Sequence, residues 1–458
     1  MIFTQYYLSC LSHGSYLIGD ETTGEAVVVD PRRDVNDYLA DAASQKLRII
    51  GIINTHVHAD FVAGHLELAE ATGAWIGYGP TAEAEFDIRT LRHGDHISLG
   101  KVDLEILETP GHTWESISVL VRKHADDEVP AAVLTGDSMF IGGVGRPDLV
   151  VAKGSSADSL AHAMFTTIHE VLLTLPDETK LYPAHGAGSS CGKNLSDDLD
   201  STIGAQRLTN EFAQVMPAAD FVKMITTGQP AAPEYFSVDA ALNLKMRPLL
   251  KPGQGLVPFS PAEARAAIAG GVKIIDTRSP EAFAQGHLRG SVNVGIDGRF
   301  AETAGMALHV ADEILVVADD DRVEEAGLRL SRIGFDHAVG HLASGDGGFV
   351  VLADLVDVTP RVTVDQLASS SEGTVILDVR NPGEREEGAI AGSLHIPLAE
   401  LFRRHEEVPA GKPVVVHCAS GWRSSVGASL LRSLGHDDVS DLIGGYDAVV
   451  QSSAAAGR

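Results

Sequence analysis

The chain has 458 residues, of which 35 are Lys or Arg and 63 Asp or Glu, for a formal charge of −28. A surface this acidic repels phosphate backbones and anionic lipid, and no local basic patch offsets it, so neither nucleic acid nor membrane is expected as a partner. The length predicts about three domains, and 44% hydrophobic against 21% charged residues provides material for several cores and excludes a disordered chain.

The start, MIFTQYYLSCLSHGSYLIGDE, has no basic n-region and no sustained apolar run, so no secretory leader is expected. Three cysteines, Cys10, Cys191 and Cys418, lie far apart and predict a reducing cytoplasm with one or two chemically used thiols. Strands are predicted at Glu25–Asp30, Arg48–Asn54, Val102–Leu107 and Ala132–Thr135, with helices at Val35–Gln45 and Ser159–Leu173 between them. Eleven of the nineteen histidines fall in the first 190 residues, so the metal chemistry is expected there. Residues 195–244 read as mostly helical, and the Pro/Gly-rich stretch Lys251–Pro261 reads as a linker.

Beyond it the chain repeats. KIIDTRSPEAFAQGHLRGSVNV (Lys273–Val294) matches VILDVRNPGEREEGAIAGSLHI (Val375–Ile396), with Asp276 and Asp378, Arg278 and Arg380, and Gly290 and Gly392 each 102 apart. Two copies of one domain of roughly 100 residues follow from this. The expected domains are 1–250, 258–355 and 359–458.

In the first domain the apolar strand before His56-Val-His58-Ala-Asp60 ends in a turn where all three side chains can converge. ETPGHT with His112, LTGD with Asp137 and YPAH with His185 each place a further donor in a Gly- or Pro-bearing turn after an apolar strand. The order THxHxD, PGHT, TGD, PAH resembles the metallo-β-lactamase fold over about the first 190 residues. The resemblance implies an αββα sandwich with the metal at one sheet edge. The superfamily includes zinc hydrolases of the glyoxalase II type and mononuclear iron persulfide dioxygenases.

Dinuclear members carry a histidine where this chain has Phe61, so a mononuclear site of His56, His112 and Asp137 is expected, with His65 the nearby nitrogen that could compensate. Two histidines and one carboxylate leave open positions and suit one Fe(II) per chain and oxygen chemistry. Zinc, the alternative, would support Lewis-acid hydrolysis only. His58, Asp60 and His185 are read as groups orienting the ligands, or as alternative ligands. The segment GDSMFIGGVGRPDL is similar to the persulfide dioxygenases, in which an arginine lies nine residues after the metal-binding Asp. The resemblance implies that Arg146 binds the substrate's anionic part, the other reading being a structural pair with Asp148. After His185 the match is poorer, Ala187 standing where stand-alone enzymes have Tyr, and the loop resembles the forms fused to sulfurtransferase domains. Cys191 in that loop is either a relay thiol or a packed small residue. His13, His93, His96, His124, His162 and His169 are read as surface or capping residues.

In the third domain, PVVVHCASGWRSSVGASLL puts Cys418 on a strand-to-helix turn, where backbone N–H groups, the helix dipole and the Arg423 cation favour a thiolate. C-x-x-G-x-R-S, with Asp378-Val-Arg380 upstream, resembles a rhodanese domain. The resemblance implies Cys418 as the nucleophile that becomes a persulfide, in an anion cradle of Ala419, Ser420, Gly421, Trp422 and Ser424 with Arg423 as its charge. Asp378 completes the catalytic set, standing with Arg380 in the framework. The second domain has no cysteine, and Asp319, Asp320 and Asp321 occupy its loop. It is read as an inactive copy, a spacer or docking surface, with Arg322 a relic or the partner of those carboxylates.

Together these imply iron-dependent oxidation of a glutathione or coenzyme A persulfide to sulfite, coupled to sulfurtransfer at Cys418. The expected partners are persulfide, thiosulfate, thiol and O2, in a cytoplasmic homo-oligomer. Rival readings are a zinc thioester hydrolase fused to a sulfurtransferase, and a non-catalytic sulfur carrier.

Overall fold

The computed structural model describes residues 1–149, 156–193, 195–229, 231–251, 253, 255–343, 348–371 and 373–456. The chain forms two compact units, Met1–Gln229 with Phe236–Gly253, and Pro230–Tyr235 with Gln254–Arg458. Residues 252 and 254 of the expected linker lie outside the described residues. Its end is built into the second unit, where Phe259 N–H donates to His341 O and His341 N–H to Val257 O.

The first unit is a sandwich. One sheet runs in chain order through β1 (Ile2–Leu8), β2 (His13–Asp20), β3 (Glu25–Val29), β4 (Arg48–Ile53), β5 (Trp75–Tyr78) and β6 (Arg89–Thr90), antiparallel to β3 and parallel from there. The other holds β7 (His96–Ser98), β8 (Asp103–Glu108), β9 (Ile117–Arg122), β10 (Ala132–Gly136), β11 (Lys180–Pro183) and β12 (Ser201–Thr202), with β10 and β11 parallel. Strict alternation fixes the layers. Val119, Val121 and Leu134 face the core shared with Tyr16, Val27 and Ile53 of the first sheet. Leu120 and Val133 face the opposite way, onto Met164 and Phe221 of the covering helices Ala157–Thr166 and Ala218–Thr226.

The helix predicted over Ser159–Leu173 is capped by Ser156 and ends at Thr166, loosening into a π-turn over Thr167–Val171 and a 3-10 turn over Leu172–Thr174. Three β-branched residues in succession, Thr166 to Ile168, disfavour continued helix, and the Thr167 hydroxyl donates to Pro110 O at 2.7 Å beside the PGHT turn.

The helical stretch before residue 250 returns to brace the His-rich turn. The Asn243 amide donates to His58 O and Phe61 O, both at 2.8 Å, and accepts from Ala63 N–H at 2.8 Å.

In the second unit the repeats build parallel sheets from corresponding strands. The first copy orders β15 (Ser291–Asn293), β13 (Lys273–Asp276), β16 (Ile314–Ala318) and β17 (Ala338–Ala343), with β14 (His287–Leu288) on β18 (Val356–Asp357) apart. The second orders β19 (Arg361–Val362), β23 (Val439–Leu442), β22 (Val414–His417), β20 (Val375–Asp378) and β21 (Leu394–His395). Central strands β16 and β22 are buried throughout, as parallel strands covered on both faces must be. Among the described residues no helix is long and apolar enough to cross a membrane.

Candidate metal centre and thiol loop

His56, His112 and Asp137 follow β4, β8 and β10, and the folding of the two sheets brings these strand ends together. Their ligand atoms converge, with Asp137 Oδ2 3.8 Å from His56 Nε2 and 3.6 Å from His112 Nε2. Donors about 2.1 Å from one ion stand at such separations. Hydrogen bonding leaves the right atoms free. His112 Nδ1–H donates to Arg146 O at 2.7 Å, turning Nε2 to the centre. His56 Nδ1–H donates to the Thr55 hydroxyl at 3.0 Å, whose own hydrogen goes to Asp30 at 2.8 Å. His56 Nε2 and Asp137 Oδ2 are thereby buried with no hydrogen-bond partner. Two orphaned atoms on converging side chains are costly without a cation and are satisfied by one, so the residues fit a metal. Burial and the neighbouring imidazoles hold the His56 pKa well below the ordinary value, keeping its ring neutral as a ligand must be.

Asp60, His185 and Cys191 form a second converging group. His185 Nδ1 meets Asp137 Oδ1 at 2.7 Å and its Nε2 meets Asp60 Oδ2 at 2.8 Å. Burial opposes ionisation of Asp137, but the His185 ring, together with those of His112 and His58, outweighs it and draws the carboxyl down to about 2. Burial, followed by the Asp60 and Asp137 charges, pushes the Cys191 thiol well above its ordinary value. His58 stands outside both groups, with Nε2–H donating to Asp30 at 3.0 Å. Phe61 is fully buried, its ring 4.2 Å from that of His13 and 4.5 Å from that of His58. His65 begins the helix His65–Thr72 against Tyr78 and Phe86, outside both groups, and so does not compensate for Phe61.

Arg146 is buried and paired in fork geometry with Asp148, Nε to Oδ1 and Nη2 to Oδ2 both at 2.7 Å, while its backbone N–H donates to Cys191 O. The structure thus gives Arg146 the Asp148 pair that the sequence left as the alternative. His13, read as a surface or capping residue, is buried with its ring 5.6 Å from that of His185, because β2 bridges to the His185 turn at this residue.

Asp30 and Asn243 were missed. Asp30 follows β3, the parallel neighbour of β4, so its carboxylate reaches the turn after β4 and binds Thr55 and His58; it does so at a left-handed φ of 51°. The parallel pairing of EAVVVD with RIIGIIN was the signal available in the sequence.

In the last repeat β22 delivers Cys418, and Gly421, at φ 106°, starts the helix Trp422–Ser433. Gly421 N–H donates to Cys418 Sγ at 3.1 Å, and Ser424 Oγ lies 3.8 Å from the sulfur. Ala419 O accepts from Asp447 N–H, Ser420 is exposed and Trp422 half-buried. Arg423 has a partner outside the loop. Its guanidinium is held by Glu384, Nη1 at 2.7 Å and Nη2 at 2.6 Å, a partner that reading the loop alone could not supply. Asp378 is buried and bound by Arg380 at 2.8 Å and Arg385 at 3.1 Å, a framework placement. In the first copy Asp319 follows β16 where Cys418 follows β22. Arg322, read as a relic or as the partner of the loop aspartates, bonds Asp297 at 3.1 Å and Glu325 at 2.8 Å: the turn Asp320–Arg322 points it at its own helix and the preceding loop.

The Rhodanese-like domain family matches at residues 260–350 and 363–452. Persulfide dioxygenase ETHE1, mitochondrial, of Bos taurus is 30% identical over 213 residues, 46% of this chain and 78% of that protein. Hydroxyacylglutathione hydrolase of Polaromonas sp. is 35% identical over 177 residues, covering 37% of this chain and 61% of the hydrolase. The crystal structure of a metallo-beta-lactamase from Staphylococcus aureus subsp. aureus COL superposes with a TM-score of 0.68 at 33% identity, over 75% of this chain and 99% of that one. Two sheets with the candidate ligand turns at one edge, and two rhodanese copies following them in sequence, assign the chain to the metallo-β-lactamase-fold persulfide dioxygenases fused to tandem rhodanese domains, the first of which lacks its cysteine.

Proposed function

We propose that the first domain oxidises a low-molecular-weight persulfide of the glutathione or coenzyme A type to sulfite, and that Cys418 carries sulfane sulfur to or from the same pool. The balance is RSSH + O2 + H2O → RSH + H2SO3. The observation that carries this reading is the convergence of His56, His112 and Asp137 on one point with two orphaned ligand atoms, beside a phenylalanine at position 61. Bound there, one Fe(II) would supply oxygen activation. Thr55 and the Arg146 carbonyl fix the imidazole orientations and Phe61 presents an apolar wall. The Arg146 guanidinium, held by Asp148, is the cation read as meeting an anionic substrate group.

At Cys418 the thiolate attacks the outer sulfur of thiosulfate. The S–S bond breaks, sulfite leaves with the bonding pair, and a persulfide forms on Cys418. A thiol then takes that sulfur as RSSH and restores Cys418. Run in reverse, the same exchange turns sulfite and persulfide into thiosulfate. Gly421 N–H and the helix N-terminus hold the negative sulfur.

Anaerobic purification, metal analysis, and O2 uptake with sulfite formation from glutathione or coenzyme A persulfide test the reading. One iron per chain and O2-dependent sulfite are expected. Absence of both iron and O2 consumption would overturn it. Cys418→Ser should abolish thiosulfate sulfurtransfer and spare O2 uptake from preformed persulfide. A second reading, a zinc thioester hydrolase of the glyoxalase II type, draws on the donor group Asp60, His185 and Cys191 and on the similarity to the Polaromonas hydrolase. It requires zinc and thioester cleavage without O2.

A further inference from the structure

We infer that the repeat without a cysteine positions the nucleophile of the other, through a buried contact between Asn293 and the first turns of the Cys418 helix. The inference rests on the reading of Cys418 as sulfur carrier. The polar groups that meet the sulfur, Gly421 N–H and Ser424 Oγ, belong to the start of that helix, and Ser424 Oγ–H is tied back to Gly421 O at 3.0 Å. Whatever fixes this start fixes the cradle.

Trp422, Ser425 and Ser429 are spaced three and four residues apart and share one face of the helix. That face meets β15 of the first copy. Ser425 Oγ–H donates to Asn293 Oδ1 at 2.6 Å, and Asn293 N–H donates to Ser429 Oγ at 2.9 Å. Both serines and Asn293 are buried. Trp422 lies over Gly295, where a Cβ would stand 3.0 Å from the indole Nε1.

Asn293 cannot turn away. Its Nδ2 hydrogens are both spent, on Asp276 O at 3.1 Å and Arg278 O at 2.9 Å. Carbonyls only accept, so the amide nitrogen must face them and Oδ1 must face Ser425. The strand pair β13–β15, in which Asp276 is the register partner of Asn293, thus serves as a rigid mount. In the other copy the matching position is His395, whose ring bonds Arg380 O at 2.8 Å, the counterpart of the Arg278 contact. An acceptor reaching across to the neighbouring helix is what Asn293 adds. Asn293, Ser425 and Ser429 are positioning residues, and the loss of a cysteine from the first copy has left this task intact.

The test uses the full chain. Ser425→Ala removes one O–H donor, and Ser425→Thr keeps it. Expected for Ser425→Ala is a kcat for thiosulfate-to-thiol sulfurtransfer lower by about tenfold, as small misplacements of a reacting group produce. KM for thiosulfate should hold, and alkylation of Cys418 by iodoacetamide, followed on its peptide by mass, should slow in parallel. Ser425→Thr should restore both. A wild-type kcat and alkylation rate in Ser425→Ala, or a loss that Ser425→Thr shares in full, would overturn the inference. If Ser425→Ala does not fold, Gly295→Ala, which presses on Trp422 without breaking a hydrogen bond, carries the same expectation, and wild-type rates there overturn it. Sulfurtransfer surviving in Cys418→Ser would instead sink the carrier reading, while the alkylation arm would still report on positioning.

Discussion

Glu67, on the helix His65–Thr72 that follows the His56 turn, is enclosed by Arg33 and Arg247, all three side chains nearly sealed from water. Its carboxylate accepts from Arg247 at 2.6 and 2.9 Å, from Arg33 at 3.1 Å and from Leu250 N–H at 3.1 Å. Burial opposes the charge, but Arg247 and then Arg33 outweigh it and hold the Glu67 pKa below the usual carboxylate value of 4.5. A depressed folded pKa contributes stability that is complete above the unfolded value and is lost as pH falls through the folded one. Glu67→Gln should therefore cost about 3 kcal/mol at pH 7, the order found when one partner of a buried pair is removed. The gap to wild type should narrow as pH drops below 4.5. Urea unfolding at a series of pH values measures both; a gap independent of pH would show that the Glu67 charge is not what stabilises. The sequence could suggest that an acidic residue on the first turn of a helix is favourable, but not that two arginines, one of them 180 residues away, would enclose it.

At the scale of elements, the loop from β10 through Arg146 is shaped by close approach. Gly145 passes so near the centre that a Cβ would lie 2.1 Å from Asp137 O and 2.9 Å from His112 Nδ1. Gly145→Ala must push apart two of the three candidate ligands, and metal content should fall well below that of wild type in a folded protein. Metal analysis with circular dichroism checks this; full metal loading would mean that the loop yields elsewhere. The segment GDSMFIGGVGRPDL already suggested the loop, as the HxHxD turn suggested His56 and the Gly- and Pro-bearing turns His112 and Asp137, because each is a local pattern of strand, turn and donor. Glu384, Asn243 and Asn293 were not legible. Each acts on a residue 39 to 185 positions away, and only tertiary pairing brings them together. His13 misled for the same reason: nothing near it in sequence shows that β2 begins against the His185 turn.

Across the whole molecule, each compact unit has its own core, the sandwich between the sheets in one and the cluster around Ile274, Leu315 and Val317 in the other. Separate cores predict more than one transition in calorimetry, with the total enthalpy exceeding the van't Hoff value of any one of them. Chelating the metal should lower the midpoint of one transition, since a ligand stabilises only the part that binds it, while Cys418→Ser should leave that transition in place. A single two-state transition, shifted as a whole by chelation, would contradict this. The contact through Asn293 also sets a lower limit on what can be studied in isolation. Cut down to its last hundred residues, the protein would keep Cys418, Gly421 and Arg423, yet Ser425 and Ser429 would face water instead of an amide held by two strands. Rates measured on such a fragment would describe a slackened loop, so the shortest length of chain that can report faithfully on this thiol includes the copy that has none.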